Sequence, residues 1–316
     1  MTTRRRTIRI GTRRSDLARW QAEHVAAKLK KISGAPATEI VFIKTEGDRI
    51  IDIPLHAVDG KAFFTKEIEQ ALLNDAVDVA VHSLKDIATE LPDGLSLGAV
   101  LERDDPRDVL LANSGAGIDE LPSGARLGTS SLRRRALLAR LRPDLDFVDL
   151  RGNVPTRIEK LRAGQYDAIV LAAAGVRRLG LEEHVTQYLP VDRILPAVSQ
   201  GAIAIEVRDG DAETLNWINK LDHANTRIAT SAERALLRKL EGGCQVPVGA
   251  LGIVENDVVR LSALVCSLSG EQCVEGAREG PKCDATALGK ALADDLLQRG
   301  GARILAEIRG TRAEVI

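Results

Sequence analysis

Aromatic side chains are scarce in this chain of 316 residues: four Phe, two Trp and two Tyr, 3% of the sequence. So few rings leave little for the stacking platforms that hold single-stranded nucleic acid. A formal net charge of −1 removes the electrostatic pull toward phosphate backbones and anionic lipid. Long apolar runs are missing as well, since stretches such as Ala168 to Ala174 fall far short of the roughly 18 residues a membrane-spanning helix needs. The four cysteines, Cys244, Cys266, Cys273 and Cys283, include no CxxC pair and have no histidine cluster beside them, so no metal site is expected. The early arginines run into Arg9, Arg13, Arg14 and Asp16 instead of an apolar segment, which does not suit an export signal. The expectation is a soluble cytoplasmic protein with reduced thiols and neither nucleic acid nor membrane as partner.

What is present is a globular pattern. The chain is 44% hydrophobic, too apolar for disorder, and long enough for two or three domains. Short β-branched runs alternate with helical periodicity. Thr7 to Gly11 reads as a strand, Ser15 to Lys30 as a helix, Glu39 to Thr45 as a strand, Thr65 to Leu73 as a helix capped by Thr65, and Val77 to Val81 as a strand. Glu102 to Asp108 is charge-dense and reads as a linker, after which the alternation restarts through Arg126 to Thr129, Ser131 to Leu141, Asp146 to Leu150, Val154 to Ala163 and Ala168 to Ala172. Gly201 to Val207 reads as a further strand and Asp222 to Leu240 as a long helix. Past Gly243 come three adjacent strands (Val246 to Val254, Val258 to Cys266, Gln272 to Glu279) and a helix over Ala285 to Gln298. The fold class is α/β: two lobes with mainly parallel sheets, followed by a small C-terminal α+β domain. The expected boundaries are 1–101 with 201–221, 107–196, and 222–316.

Arg outnumbers Lys 32 to 12, and the planar guanidinium grips carboxylates in bidentate fashion. Gly11-Thr-Arg-Arg-Ser15 and Gly128-Thr-Ser-Ser-Leu-Arg-Arg134 both lead from a strand into a Ser-capped helix, whose N-terminal N–H groups attract anions. Further strand ends carry His82-Ser-Leu-Lys-Asp86, Arg151-Gly-Asn-Val-Pro-Thr-Arg157 and Gly175-Val-Arg-Arg178, and ligands of open α/β sheets bind at that edge. Read singly, these are ordinary caps and solvated arginines. Read together, they suggest a polycarboxylate site in a cleft between the lobes. In Glu241-Gly-Gly-Cys-Gln-Val-Pro247 two glycines leave Cys244 little steric cover, so it reads either as an inert half-buried thiol or as a thiol presented on a loop.

These segments, with Pro196-Ala-Val-Ser-Gln-Gly201, resemble in order those of the porphobilinogen deaminase family, from about Ile8 to about Ile308. The resemblance implies two periplasmic-binding-protein-like α/β lobes around a cleft and a third domain carrying the cysteine. It implies a monomer that joins four porphobilinogens head to tail, releases ammonia, and frees a linear hydroxymethylbilane by hydrolysis. Cys244 would hold a dipyrromethane cofactor as a thioether, and Asp86 would be the catalytic carboxylate, ionised so that it stabilises the cationic azafulvene left when ammonia departs. Ser83, Lys85, Thr129, Ser130, Ser131, Arg133, Arg134, Arg151 and Gln200 would bind the cofactor. Arg13, Ser15, Lys61, Arg157 and Arg178 would bind substrate. Arg135, fanned about 100° from its helix neighbours, should be solvated.

The chain departs from the family pattern at three places. Ala88 stands where relatives carry Pro, Ala57 where many carry Lys, and Asp59 where many carry Gly. The segment Glu46 to Gly60 reads as a lid, with Lys61 as its remaining cation. A rival reading from another class is a non-catalytic two-lobed binding protein for a polycarboxylate; Cys244 and Asp86 weigh against it.

Overall fold

The computed structural model describes residues 7–45, 65–241 and 246–313. Lys61, Cys244 and the segment Glu46 to Gly60, with Ala57 and Asp59, lie outside the described residues. The chain divides into two compact units. Among the described residues, one comprises those up to 45, 65–104 and 202–227, and the other 105–201 and 228 onward.

The first unit is built on β1 (Ile8–Thr12), α1 (Asp16–Lys30), β2 (Thr38–Phe42), α2 (Lys66–Leu73), β3 (Val79–Ser83) and β4 (Leu95–Val100). The second begins with β5 (Asp108–Ala112), β6 (Arg126–Gly128), α3 (Leu132–Leu141), β7 (Asp146–Val148), α4 (Val154–Arg162), β8 (Ala168–Ala172), α5 (Ala173–Arg178) and β9 (Gln187–Tyr188). The chain then returns to the first unit with β10 (Ile203–Arg208) and α6 (Ala212–Ile218). The two five-stranded sheets have matching orders, β2-β1-β3-β10-β4 and β7-β6-β8-β5-β9. In each, the three consecutive strands of a βαβ run lie parallel, and the fourth position is filled by an antiparallel strand, β10 from beyond the chain crossing in the first sheet and β5, which opens the unit, in the second. The sheets are mainly parallel as expected, each carrying one strand that runs against the other four. An apolar strand buried on both faces carries no mark of its direction, and β5 and β10 are such strands.

Local chemistry explains the helix starts. Ser15, Ser131 and Asn153 sit in extended conformation and accept from Ala18 N, Arg134 N and Thr156 N respectively. Thr65 was expected to do the same and does not. Its backbone is already helical and makes no side-chain cap, while its carbonyl accepts from Ile68 and Glu69 N–H. The first core joins Ile8, Ile10, Val79 and Val81 of the strands to Ala22, Val25 and Leu29, spaced along one face of α1.

The charge-dense stretch ending at Asp108 is likewise not a solvated linker throughout. Asp108 opens β5 and is fully buried. Helix α7 (Ala224–Lys239) then leads to an antiparallel meander of β11 (Val248–Glu255), β12 (Val258–Cys266) and β13 (Cys273–Pro281), followed by α8 (Ala285–Leu296) and α9 (Ala302–Ala313). Ala232 and Leu236 of α7 share one core with alternate residues of β12 and with Leu292 and Leu296 of α8. Leu264 and Cys266 instead join the core of the second five-stranded sheet, beside Leu110 and Ala136.

The expectation of reduced thiols meets a correction here. The β12–β13 register sets Cys266 opposite Cys273, and the two form a disulfide, whereas Cys283 is a free, exposed thiol. Unfolded in denaturant without reductant, the chain is expected to take an alkylating label at Cys283 and not at Cys266 or Cys273. Peptide mass mapping reads the result, and label at Cys266 before reduction would show the pair to be open.

Candidate functional site

In the first unit the site grows from two strand ends. β1 runs through Arg13 to the cap Ser15, and β3 ends at Ser83, after which a single tight turn over Leu84–Asp86 presents Lys85 and Asp86. Gln21 of α1 donates its side-chain N–H to Ser83 Oγ at 2.8 Å, pinning the strand end to the helix. A pocket opens between them, lined by the polar Arg13, Ser15, Gln21, Thr65, His82, Ser83 and Asp86 and by the apolar Leu17, Ala18 and Val81. Of the sequence candidates, Arg13, Ser15, Ser83 and Asp86 thus come together, and Asp86 is the one acid in that lining among the described residues. Lys85 is half-buried on the same turn.

Behind this pocket lies a polar cluster that the sequence reading missed. His82 Nε2 stands 3.1 Å from Glu206 Oε2, both side chains being buried. Glu69 of α2 is buried too, and burial pushes its carboxyl above the ordinary range; the charge of Glu206 adds to the shift, while Thr65 and His82 oppose it. No sequence signal marked it, because nothing in a single chain announces the pairing of β3 with β10 that brings Glu206 to His82.

In the second unit Gly128 ends β6 where a Cβ would sit 2.8 Å from the Tyr166 ring, so only glycine lets the strand pass. Thr129 Oγ1 then accepts from Ser131 N, and Ser130 Oγ both donates to Leu150 O and accepts from Leu150 N, at 3.0 Å each. Ser130 thereby ties two strand ends together, with its hydroxyl spent on the backbone.

Arg133 and Arg134, expected to hold the cofactor, engage a carboxylate of the protein. Both are buried, at 4% and 7% exposure, and both grip Asp108. Burial works to raise the Asp108 carboxyl, but the charges of Arg133 and Arg134, with hydrogen bonds from Arg134 and Gln200, hold it far below the usual carboxylate range. Burial in turn lowers Arg133, the charge of Arg134 adding to that and Asp108 opposing it. Gln200, another candidate, donates to Asp108 Oδ1 at 2.9 Å and to Pro106 O at 2.8 Å, and Arg178 donates to Gly201 O at 2.6 Å. Arg151 and Arg157 remain half-buried at the start of α4, Arg157 Nε donating to Gly152 O at 2.7 Å, and Arg135 is exposed as expected. Asp108 is the residue that sequence reasoning missed, because its position in a run of charges suggested water.

Two α/β units with polar, helix-capped strand ends and a small antiparallel C-terminal sheet are the setting for the comparisons with known proteins. The model for "Porphobilinogen deaminase, dipyromethane cofactor binding domain" matches residues 8–216, and that for "Porphobilinogen deaminase, C-terminal domain" matches residues 228–298. The chain belongs to the porphobilinogen deaminase family. It is 51% identical over 305 residues to the porphobilinogen deaminase of Pelotomaculum thermopropionicum, covering 96% of this chain and 98% of that one. It is 50% identical over 301 residues to that of Geobacter sulfurreducens, covering 95% and 94%. Among solved structures, the methionine binding protein MetQ aligns with a TM-score of 0.44 at 15% identity, over 68% of this chain and 89% of that one.

The buried Glu69 gives a test with a definite sign. A carboxyl raised on folding makes the native state hold its proton above the unfolded value near 4.5, so stability falls as pH rises from there through the raised value. Glu69→Gln is therefore expected to be more stable than wild type at pH 8, with the gain vanishing below pH 4.5. Urea midpoints at the two pH values check it, and an equal gain at both would contradict the assignment.

Proposed function

We propose that this protein is a transferase of tetrapyrrole synthesis that condenses four porphobilinogens, head to tail, onto a dipyrromethane primer held by Cys244. Ammonia is released at each coupling, and water finally frees hydroxymethylbilane. The observation that carries the reading is Asp86, the one acid among the described residues of a pocket whose polar groups are hydroxyl, amide, imidazole and guanidinium, within a chain matched by both domains of the family.

The residues suit a carboxylate-rich cofactor. In the second unit two buried guanidiniums meet one carboxylate, which leaves a positive charge in excess inside the protein. Arg133 Nε is also buried with no hydrogen-bond partner among the described residues. An anionic side chain would answer both. Thr129, Ser131, Arg133 and Arg151, with the first-turn N–H groups of α3, are the donors proposed to hold cofactor carboxylates, and Ser83 and Lys85 contribute from the Asp86 turn. Ser130, Arg134, Gln200 and Arg178, whose polar atoms engage the protein interior, serve the site by shaping it. When bound, the cofactor supplies the pyrrole carbon onto which the first substrate is joined.

Arg13, Ser15, Lys61 and Arg157 are proposed to receive the acetate and propionate groups of porphobilinogen. Asp86 faces the positive charge that develops on substrate as ammonia leaves, where a fixed carboxylate stabilises it. It can also take up the proton that the attacked ring carbon must lose. Cys244, between two glycines and a proline-fixed segment, offers the sulfur for a thioether.

Two variants test this. Cys244→Ser is expected to fold, to lack the mass increment of the cofactor, and to be inactive, whereas Cys266→Ser keeps the increment. An intact mass of active enzyme equal to the bare chain would sink the covalent reading. Asp86→Asn, measured per mole of cofactor-bearing protein, is expected to lose about 10²- to 10⁴-fold in turnover, the usual cost of a positioned acid or base. Asp86→Glu, which keeps the charge, is expected to retain measurable activity. Turnover of the Asn variant within threefold of wild type would remove Asp86 from the chemistry.

A further inference from the structure

Asp108 carries a dense buried polar network, and the reading above gives it no part. Its Oδ1 accepts from Arg134 Nη2 at 2.7 Å, Arg134 Nε at 3.1 Å and Gln200 Nε2 at 2.9 Å. Its Oδ2 accepts from Arg133 Nη2 at 2.8 Å. The far ends of both guanidiniums are fixed as well, Arg133 Nη1 on Leu195 O at 2.7 Å and Arg134 Nη1 on Val170 O at 3.0 Å. Arg134 therefore spends all three nitrogens on the protein. Arg133 spends two, and the third, Nε, is buried without a partner among the described residues.

This is a poor design for stability alone. A buried ion pair seldom outperforms apolar packing, and a second buried cation against one carboxylate adds a charge that no second carboxylate among the described residues answers. It suits a site completed by an arriving anion. The register of β5 on β8 places Asp108 opposite Ala172, at the carboxyl end of β8, and Arg133 lies in the first turn of α3 beside the cap Ser131. That is the edge where helix N–H groups and hydroxyls already gather.

The geometry points to Asp108 as a positioning residue for cofactor binding: it acts through Arg133, fixing that guanidinium so that its open N–H meets a ligand carboxylate. The inference rests on the functional reading given above, in which that ligand is the carboxylate-bearing dipyrromethane. Arg134 and Gln200 serve as braces, holding the Asp108 carboxylate in one orientation.

The test uses the full-length chain freed of cofactor and titrated with porphobilinogen, the loaded fraction being read by intact mass. Asp108→Asn is expected to raise the porphobilinogen concentration for half-loading at least tenfold. Arg133→Met is expected to do the same, and the double variant to need no more than Arg133→Met alone, since one acts through the other. Fully additive losses would overturn the inference, as would a lowered melting temperature with half-loading unchanged, which marks a purely structural role. Should Asp108→Asn fail to fold, Gln200→Met removes a brace without unpairing a charge. It is expected to raise half-loading about threefold in the wild-type background and not at all beside Arg133→Met, and equal effects in both backgrounds would count against Asp108. A wild-type chain that gains no mass with porphobilinogen would refute the functional reading itself, whereas loading of wild type and Asp108→Asn at equal concentrations refutes only the role given to Asp108.

Discussion

A carboxylate out of reach of water must be answered by charge, and in the second unit the position of much else follows from how Asp108 is answered. It draws the first turn of α3 against β5 through two arginines, fixes the Gln200 turn, and stands at the strand edge where the anion donors gather. The first unit also sets two arginines on a buried carboxylate, but with two further carboxylates, Asp75 and Asp211, beside them. Asp78, also fully buried, is gripped by Arg9 and Arg208, but just ahead of β3, at the amino end of the parallel strands. There the arginine side chains are 33% and 17% exposed, so their charge is shared with solvent. Asp78 braces the sheet end away from the strand ends that carry Arg13 and Asp86. Asp108 braces the edge that carries Thr129, Ser131 and Arg151.

Another buried carboxylate extends the principle to backbone donors. Glu233 of α7 accepts from Ser199 N at 2.6 Å and from Gly252 N at 2.7 Å. Ser199 adopts the left-handed conformation, φ 64°, that the neighbouring Gln200 turn requires. One side chain thus joins α7, β11 and the turn that braces Asp108, so the C-terminal sheet and the second five-stranded sheet are linked by polar bonds as well as by the shared core around Leu264.

Periodicity was enough to recover most elements of this fold. α1, β8 and β12 lie within a residue of where alternation and helical spacing put them, and Ser15, Ser131 and Asn153 cap as their chemistry demands. Direction was not legible, because the apolar runs of β5 and β10 read the same parallel or antiparallel. Nor was the burial of Asp108, whose partners Arg133, Arg134 and Gln200 lie 25, 26 and 92 residues along the chain. The pocket residues Arg13, Ser15, Ser83 and Asp86 were found because each follows a strand end, a local signal. His82, Glu69 and Glu206 were not, since their meeting depends on which strand lies beside which. For Arg133 and Arg134 a motif singled out the residues, but not that both side chains are buried on Asp108.

The matching strand orders of the two sheets conceal a difference in how each is completed during synthesis. All five strands of the second sheet come from one continuous stretch, Asp108 to Tyr188. The first sheet takes its fourth strand from Ile203–Arg208, so β4 pairs with nothing already made until that segment has left the ribosome. Of the two five-stranded sheets, the one translated first is therefore the one completed last, with β3 holding an open edge while about a hundred residues are added. Its nascent state is a three-stranded parallel sheet awaiting a partner. The antiparallel strand that blurs the fold class in sequence is also the step that ends this exposure.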